Sequence, residues 1–405
     1  MKRVAVFTGN RAEYGLQISA LRAIDNHTEL EYKLIVAGSH LDNNFGHSIE
    51  EIKNDGFRID AKIKIVLDDD SLNSNVQAIG STVMKIGDAL KSIKPDFFLV
   101  YGDRSEAFAA VIASTQMNIP TGHIEGGDLT EGGTLDDSVR HAMTKLSHLH
   151  FTTNLQSTNR VLAMGEEAWR VHNVGFLALD MISEKNYASS EEVSMSLSID
   201  ISKPVILFTQ HSVTTDVNLS GVQIHYSLKA LVKLAKRGFQ IIITYPNSDA
   251  GGIAIIDNLK LLEKRSLKGI QIYKSLGRYL YHGVLGLATN KKLKVVCVGN
   301  SSSGIKETPA FGCPTVNIGT RQSGRLRGQN VIDVDYQEDE IIKAIEFCLE
   351  DKNFRKKCFE TNNPYYLGNS GEKIAKIIST VSINKGLLRK KMTLNGEVNN
   401  DGWYR

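Results

Sequence analysis

DFFLVYGDRSEAFAAVIASTQMNIPTGHIE, residues 96–125, decides the fold. Two short runs of strand type, DFFLVY (96–101) and PTGHIE (120–125), flank a segment of helical spacing from 104 to 117. A strand apolar on both faces, then a helix, then another such strand makes a βαβ unit. Its strands pair in parallel, and helices cover both faces of the sheet.

Outward from this unit the alternation continues. Strands are predicted at RVAVFT (3–8), YKLIVA (32–37), AKIKIV (61–66), HLHFT (148–152) and RVHNVG (170–175), with helices over 12–25, 76–93, 136–146 and 154–164. Residues 184–203 are polar and Ser-rich with one short helix, and read as the link between two domains. The pattern then restarts with PVILFT (204–209), FQIIITY (239–245), IQIY (270–273), KVVCVG (294–299), PTVNIG (314–319) and NVIDVD (330–335), and with helices over 221–236, 252–264, 277–289 and 303–310. Helices over 337–350, 352–360 and 370–384 follow. The expected architecture is therefore α/β, two Rossmann-like domains facing across a cleft. Residues 1–183 form the first and 184–360 the second; a helical segment at 361–385 packs back on the first, and 386–405 form a loosely held tail.

Composition excludes several classes. The 405 residues are 41% hydrophobic and 23% charged, as in ordinary globular proteins. Lys plus Arg is 48 against Asp plus Glu at 45, a net charge of +3 that gives no reason to expect nucleic acid as a partner. The start MKRVAVFTGN runs straight into a short strand, and no apolar stretch reaches the length of a membrane span, so a cytoplasmic protein without a membrane partner is expected. The four cysteines, Cys297, Cys313, Cys348 and Cys358, lack CxxC spacing and read as buried or inert thiols.

Candidate chemistry gathers at strand ends. Between Val100 and His141 the chain places Asp103, Glu125, Asp128, Asp136 and Asp137 at predicted ends of successive strands and helices, where such sheets assemble their sites. Neither half has GxGxxG after its first strand, and GxxxxGK[ST] is absent, which disfavours dinucleotide and P-loop sites. TGNRAEYG instead opens a helix with Arg11, either a phosphate contact or a solvated residue of a plain βα turn. VGNSSSGIKETPAFG is the stronger anion site: Ser301, Ser302 and Ser303 offer hydroxyls and N–H groups suited to a diphosphate. Glu307, one turn on, can take the two hydroxyls of a ribose; the alternative is serine caps and a solvent-facing carboxylate. Arg321, Arg325 and Arg327 end the next strand as phosphate counter-charges or as a solvated loop. His211, past the first strand of the second domain, points to the same diphosphate or is structural.

GNRAEYG, GSHL, YGDR, HIEGGD, TLDDSVRHAMTKLSH, QHSVTTD, YPNSDAG, GNSSSGIKE and GTRQSGR stand in the order and spacing of the hydrolysing nucleotide-sugar 2-epimerases of sialic-acid synthesis, which the chain resembles from residue 1 to about 385. The non-hydrolysing relatives carry HxEAGxR where this chain has His123-Ile124-Glu125-Gly126-Gly127-Asp128, and they lack a DDSxRH segment. The resemblance implies a glycosyltransferase-B-like fold, the nucleotide held by the second domain and the sugar by the first. It implies anti elimination of the nucleoside diphosphate across C1 and C2, then hydration with inversion at C2, without a nicotinamide, metal or other cofactor.

By the same resemblance Glu125 and Asp136 are the acid/base pair and Asp103 is a third carboxylate near the sugar; which one removes the C2 proton stays open. Such a carboxylate needs a partly dry site that raises its pKa. His211 stabilises the leaving diphosphate with Arg11, Arg321 and the Ser301–Ser303 loop. Arg104, His123 and Asn247 are implied to orient the sugar. Arg140 and His141 either orient the Asp136 segment or lie on the helix surface, and Asp137 is catalytic or a helix N-terminal charge. A homo-oligomer, dimer or tetramer, is implied as well.

One departure bears on the substrate. Asp128 is followed by LTEGGTLDDS, longer than the join usual in the sialic-acid members and similar to the branch acting on 2,4-diacetamido-trideoxy sugars, N,N'-diacetylbacillosamine, in legionaminic-acid synthesis. Glu131-Gly132-Gly133 would then lie beside C4 and C6. Some of that branch use GDP, so the base is open between UDP and GDP. The competing reading is a glycosyltransferase of the same fold with a UDP-sugar donor, which would need an acceptor.

Overall fold

The structure, a computed structural model, describes residues 1–41, 49–65, 72–130, 135–213, 215–247 and 250–394; the side chains at 11, 12 and 72 lie outside that description. The chain forms two compact units, one of Met1–Asp128, Leu135–Asp180 and Tyr365–Arg405, the other of Leu129–Thr134 and Met181–Pro364.

The first unit is built on a parallel sheet of β1 (Lys2–Thr8), β2 (Leu30–Ala37), β3 (Ile59–Ile63), β4 (Phe97–Tyr101), β5 (Thr121–Ile124), β6 (Leu149–Thr152) and β7 (Val171–Asn173), in the order β3-β2-β1-β4-β5-β6-β7. Val4 to Phe7 and Phe97 to Val100 are all buried, because helices cover both faces and every position along such a strand meets a helix. Ala107, Ala110 and Val111 of the helix Ser105–Gln116 pack on Phe7, Phe98 and Val100. Gly122 is required where it stands: a β-carbon there would lie 2.8 Å from the Phe151 ring and 2.9 Å from that of Phe97.

The second unit repeats the plan with β8 (Val205–Thr209), β9 (Gln240–Thr244), β10 (Ile270–Tyr273), β11 (Val295–Gly299), β12 (Thr315–Ile318) and β13 (Val331–Val334), all parallel in the order β10-β9-β8-β11-β12-β13. Each sheet thus has the doubly wound order, with its switch point between β1 and β4 in the first unit and between β8 and β11 in the second. Side chains just beyond the carboxyl ends of those four strands are the ones the topology offers to a ligand.

Several sequence expectations need correction. The 184–203 link is folded into the second unit: the helix Ser190–Leu197 opens with a Ser189/Glu192 capping box and buries Val193 and Leu197, one turn apart on a single face. The helix predicted over 303–310 divides into a single α-turn, Ser303–Lys306, and a 3₁₀ turn, Thr308–Phe311, because Pro309 has no N–H to continue the ladder. The helix begun at Ser370 ends at Thr380, and two short helices, Ile49–Asn54 and Ala178–Ser183, were not anticipated.

The helix Ser370–Thr380 packs on the helix Arg11–Asp25 through Gly371, where a β-carbon would stand 2.4 Å from the Ser19 carbonyl oxygen. The chain then continues across the first unit as a strap, and the segment read as a tail is held as far as residue 394. The buried Arg170 guanidinium donates to the carbonyls of Gly386, Leu387 and Arg389 at 3.0, 2.7 and 3.2 Å. Lys390 pairs with the buried Glu166 at 2.8 Å and caps the helix Leu135–Leu146 by donating to the carbonyls of Lys145 and Ser147.

Candidate active site

In the first unit the chain turns sharply beyond β4 at Gly102 (φ +77°), which brings Asp103 and Arg104 to the strand end. His123 on β5 holds this turn. Its Nε2 lies 2.7 Å from the Gly102 carbonyl, which can only accept, so Nε2 carries the proton and Nδ1 accepts from the Thr144 hydroxyl at 3.1 Å. Burial pushes the His123 imidazole down to about 3, so the ring is neutral and holds the Gly102 turn that precedes Asp103.

Glu125, just past β5, adopts φ +69°. A left-handed backbone costs a non-glycine residue on the order of 1 kcal/mol or more, and such strain concentrates at functional sites. The strain is sustained by the Glu125 N–H donating to the Phe151 carbonyl at 2.9 Å. Glu125 is 6% exposed, so the carboxylate stands in a dry environment.

The helix Leu135–Leu146 delivers the remaining groups: Asp136, half-buried, and Asp137, buried, in its first turn, with Arg140 one turn further on. Arg140 is the hub. It is ion-paired to Asp103 and donates Nη1 to the Glu125 carbonyl at 3.3 Å. Burial works against its charge, but Asp103, Asp128 and Asp137 together raise its pKa. Carboxylates from the ends of β4 and β5 and from the helix N-terminus thus share one guanidinium. Burial holds the half-buried His141 below its usual range, and Arg104 lies 3.9 Å from Glu106.

Beyond β1, Asn10 caps the helix Arg11–Asp25, and Glu13 reaches back so that its Oε2 accepts from the Gly9 N–H at 2.8 Å. Burial, reinforced by Glu106, pushes the Glu13 carboxyl up to about 8. The Arg11 side chain, the sequence candidate for a phosphate, lies outside the described residues, as do Glu131-Gly132-Gly133.

In the second unit Gly299, at φ +126°, lets β11 approach β8 closely: a β-carbon would stand 1.9 Å from the Thr209 carbonyl oxygen. Asn300, fully buried, then clasps His211 across the switch point. Its Oδ1 accepts from the His211 N–H at 2.6 Å and its Nδ2 donates to the His211 carbonyl at 2.9 Å. The His211 Nδ1 accepts from the Asn247 N–H at 3.0 Å, which leaves the proton of the neutral ring on Nε2. The Asn300 carbonyl receives Gln322 Nε2 at 2.8 Å and Arg321 Nη1 at 3.3 Å. His211 and Arg321 thereby meet at Asn300, the residue that leads into the serine loop.

The other two arginines are engaged elsewhere. Arg327 pairs with Asp333, and Arg325 binds Gln322, the Leu129 carbonyl and, at 3.1 Å, the Thr130 hydroxyl. In the serine loop Ser303 is buried and its Oγ lies 2.6 Å from the Tyr281 hydroxyl and 3.1 Å from Ser301 Oγ. Glu307 is buried, with Oε2 2.9 Å from His282 Nε2.

Sequence reasoning did not single out Asn300, Gln322, Tyr281 or His282. Asn300 had a usable signal, a short amide between Gly299 and the serines; the other three contact the site only through the fold. Among the described residues no cluster of three or more His, Cys, Asp or Glu is arranged to hold a metal ion, and no helix is long and apolar enough to cross a membrane. All four cysteines are buried, and burial raises their pKa values, Cys297 and Cys358 to about 12.

The sequence profile of the UDP-N-acetylglucosamine 2-epimerase family matches residues 22–379. The chain is 33% identical over 355 residues, 88% of its own length and 89% of the relative's, to the GDP/UDP-N,N'-diacetylbacillosamine 2-epimerase (hydrolyzing) of Campylobacter jejuni. It is 34% identical over 346 residues, 85% and 87% of the two chains, to a UDP-N-acetylglucosamine 2-epimerase of Neisseria meningitidis. Its fold is similar to that of a UDP-GlcNAc 2-epimerase of Neisseria meningitidis solved with UDP-GlcNAc bound, at a TM-score of 0.76 and 21% identity, covering 93% of this chain and 99% of that one.

Proposed function

The chain belongs to the UDP-N-acetylglucosamine 2-epimerase family, and from that premise we propose that it is a hydrolysing nucleotide-sugar 2-epimerase. It takes UDP-N-acetylglucosamine, or the 2,4-diacetamido-trideoxy analogue on UDP or GDP, and with one water releases the free manno-configured sugar and the nucleoside diphosphate. The free sugar feeds sialic- or legionaminic-type acid synthesis in the cytoplasm, and the enzyme is a homo-oligomer.

The observation that carries this reading is the Arg140 hub, with Asp103, Asp128 and Asp137 around one buried guanidinium and the strained Glu125 bonded to it. Epimerisation at C2 through elimination needs one carboxylate to take the C2 proton and another group to return a proton to the opposite face. Glu125 and Asp136 fill these two roles, and Asp103, fixed by Arg140 and His123, contacts the sugar. As the C2–H bond breaks, its electron pair forms the C1–C2 double bond and the C1–O bond breaks, releasing the diphosphate. Water then adds at C1 while C2 is protonated with inverted configuration.

In the second unit His211 presents Nε2–H to the departing diphosphate, beside Ser301, Ser302 and Arg321. Glu307 takes the ribose hydroxyls. A glycosyltransferase would use the same diphosphate site but one catalytic base and an acceptor.

Incubation with each sugar nucleotide alone, UDP-N-acetylglucosamine and the UDP- and GDP-linked diacetamido analogues in parallel, tests the proposal. Free nucleoside diphosphate without an acceptor is expected, and in deuterium oxide the released sugar carries deuterium at C2. Release only with an acceptor would make it a glycosyltransferase. Light scattering at working concentration tests the oligomer.

A further inference from the structure

The helix Gly277–Gly286 places two adjacent side chains against the nucleotide loop. Tyr281 lies 2.6 Å from Ser303 Oγ, and His282 lies 2.9 Å from Glu307 Oε2. Ser303 and Glu307 are four residues apart, stacked on one face of the turn that follows β11, so neighbouring residues of one helix grip successive levels of another. Both members of the histidine pair are buried, at 4% and 6% exposure. Only one oxygen of Glu307 is engaged; Oε1 has no hydrogen-bond partner among the described residues. Phe311 packs against the His282 ring, at a centroid separation of 6.0 Å and an interplanar angle of 50°.

This arrangement has a consequence for the turn itself. Pro309 limits the α-helical part to Ser303–Lys306, a single turn that depends on tertiary contacts rather than on its own ladder. A carboxylate on such a turn needs an outside partner to keep one oxygen turned outward. We propose that Tyr281 and His282 are positioning residues for nucleotide recognition: His282 orients Glu307 so that Oε1 reads a ribose hydroxyl, and Tyr281 sets Ser303, and through it Ser301, for the diphosphate. The inference rests on the reading of Glu307 as the ribose-binding carboxylate.

Calorimetry with UDP and 2'-deoxy-UDP on the intact enzyme separates the two ideas. The native protein prefers UDP, and Glu307→Gln loses that preference by about tenfold or more, the worth of a hydrogen bond to a charged group. His282→Phe is expected to lose the same preference while Glu307 remains, and His282→Gln, whose amide can still donate, to restore part of it. Tyr281→Phe is expected to weaken both nucleotides equally. If Glu307→Gln keeps the ribose preference, the reading of Glu307 falls. If Glu307→Gln loses it and His282→Phe, folded by circular dichroism, keeps it, the positioning role is overturned.

Discussion

Asn300 and His211 exchange two hydrogen bonds across the switch point of the second sheet, one at 2.6 Å and one at 2.9 Å. The His211 backbone is therefore anchored by a residue that offers a ligand nothing of its own side chain, since both polar atoms of the amide are spent on that backbone. Asn300→Ala should lower turnover by about tenfold or more and stability by about 2 kcal/mol, because the backbone N–H and carbonyl of the half-buried His211 lose their partners. Steady-state kinetics with a urea melt measures both. Unchanged turnover would mean that His211 is not held by this clasp.

Arg140 makes a sharper case. Removing it leaves Asp137 and Asp128, at 2% and 3% exposure, beside an uncompensated Asp103. Arg140→Ala should cost about 3–5 kcal/mol, as loss of one partner of a buried pair does. Arg140→Lys should recover stability more than turnover, since a single ammonium cannot reach both Asp103 and the Glu125 carbonyl. Equal recovery of both would reduce Arg140 to a structural counter-charge.

Glu125→Gln and Asp136→Asn should each lose about two orders of magnitude in turnover while binding UDP as the native enzyme does, because general acid–base groups act in the transition state. Ser302→Ala and Arg321→Ala should show the reverse, weaker UDP by calorimetry. A near-native rate in either carboxylate variant removes that residue from proton transfer.

Two buried carboxyls give opposite pH signatures. Glu13, raised to about 8, keeps its proton in the fold where the unfolded chain has lost it, so its contribution falls as pH rises from about 4.5 to 8. Burial alone would raise Glu166, but its hydrogen bond from His150 and the ammonium groups of Lys390 and Lys145 hold it well below the usual carboxylate range. Its contribution is full above about pH 4.5 and is lost as pH falls toward its folded value. Glu13→Gln should accordingly raise the melting temperature at pH 8–9 and leave it nearly unchanged at pH 4. Glu166→Gln should lower it at pH 7 and flatten the acid limb. A Glu13→Gln profile parallel to the native one would show that this carboxyl is ionised in the fold.

Runs such as DFFLVY and KVVCVG were legible as buried parallel strands because their chemistry is local: β-branched and aromatic residues without alternation fit only a sheet covered on both faces. The strand-end motifs were legible for a related reason. A parallel sheet sends each strand's carboxyl end to one edge, so Asp103, Glu125, His211 and the serines come just beyond the carboxyl ends of β4, β5, β8 and β11. The break at Pro309 was equally local and could have been read from its missing N–H.

The amino-acid sequence by itself thus determined the two sheets, their order of elements and the family. Only the tertiary structure decided which groups are paired. Arg140 meets Asp103 from 37 residues away, His282 meets Glu307 from 25, and Arg170 meets the strap at Leu387 from 217. A polar side chain brought into a dry interior must find a partner, and the partner is whatever the fold carries past it, at a distance along the chain that no local pattern encodes.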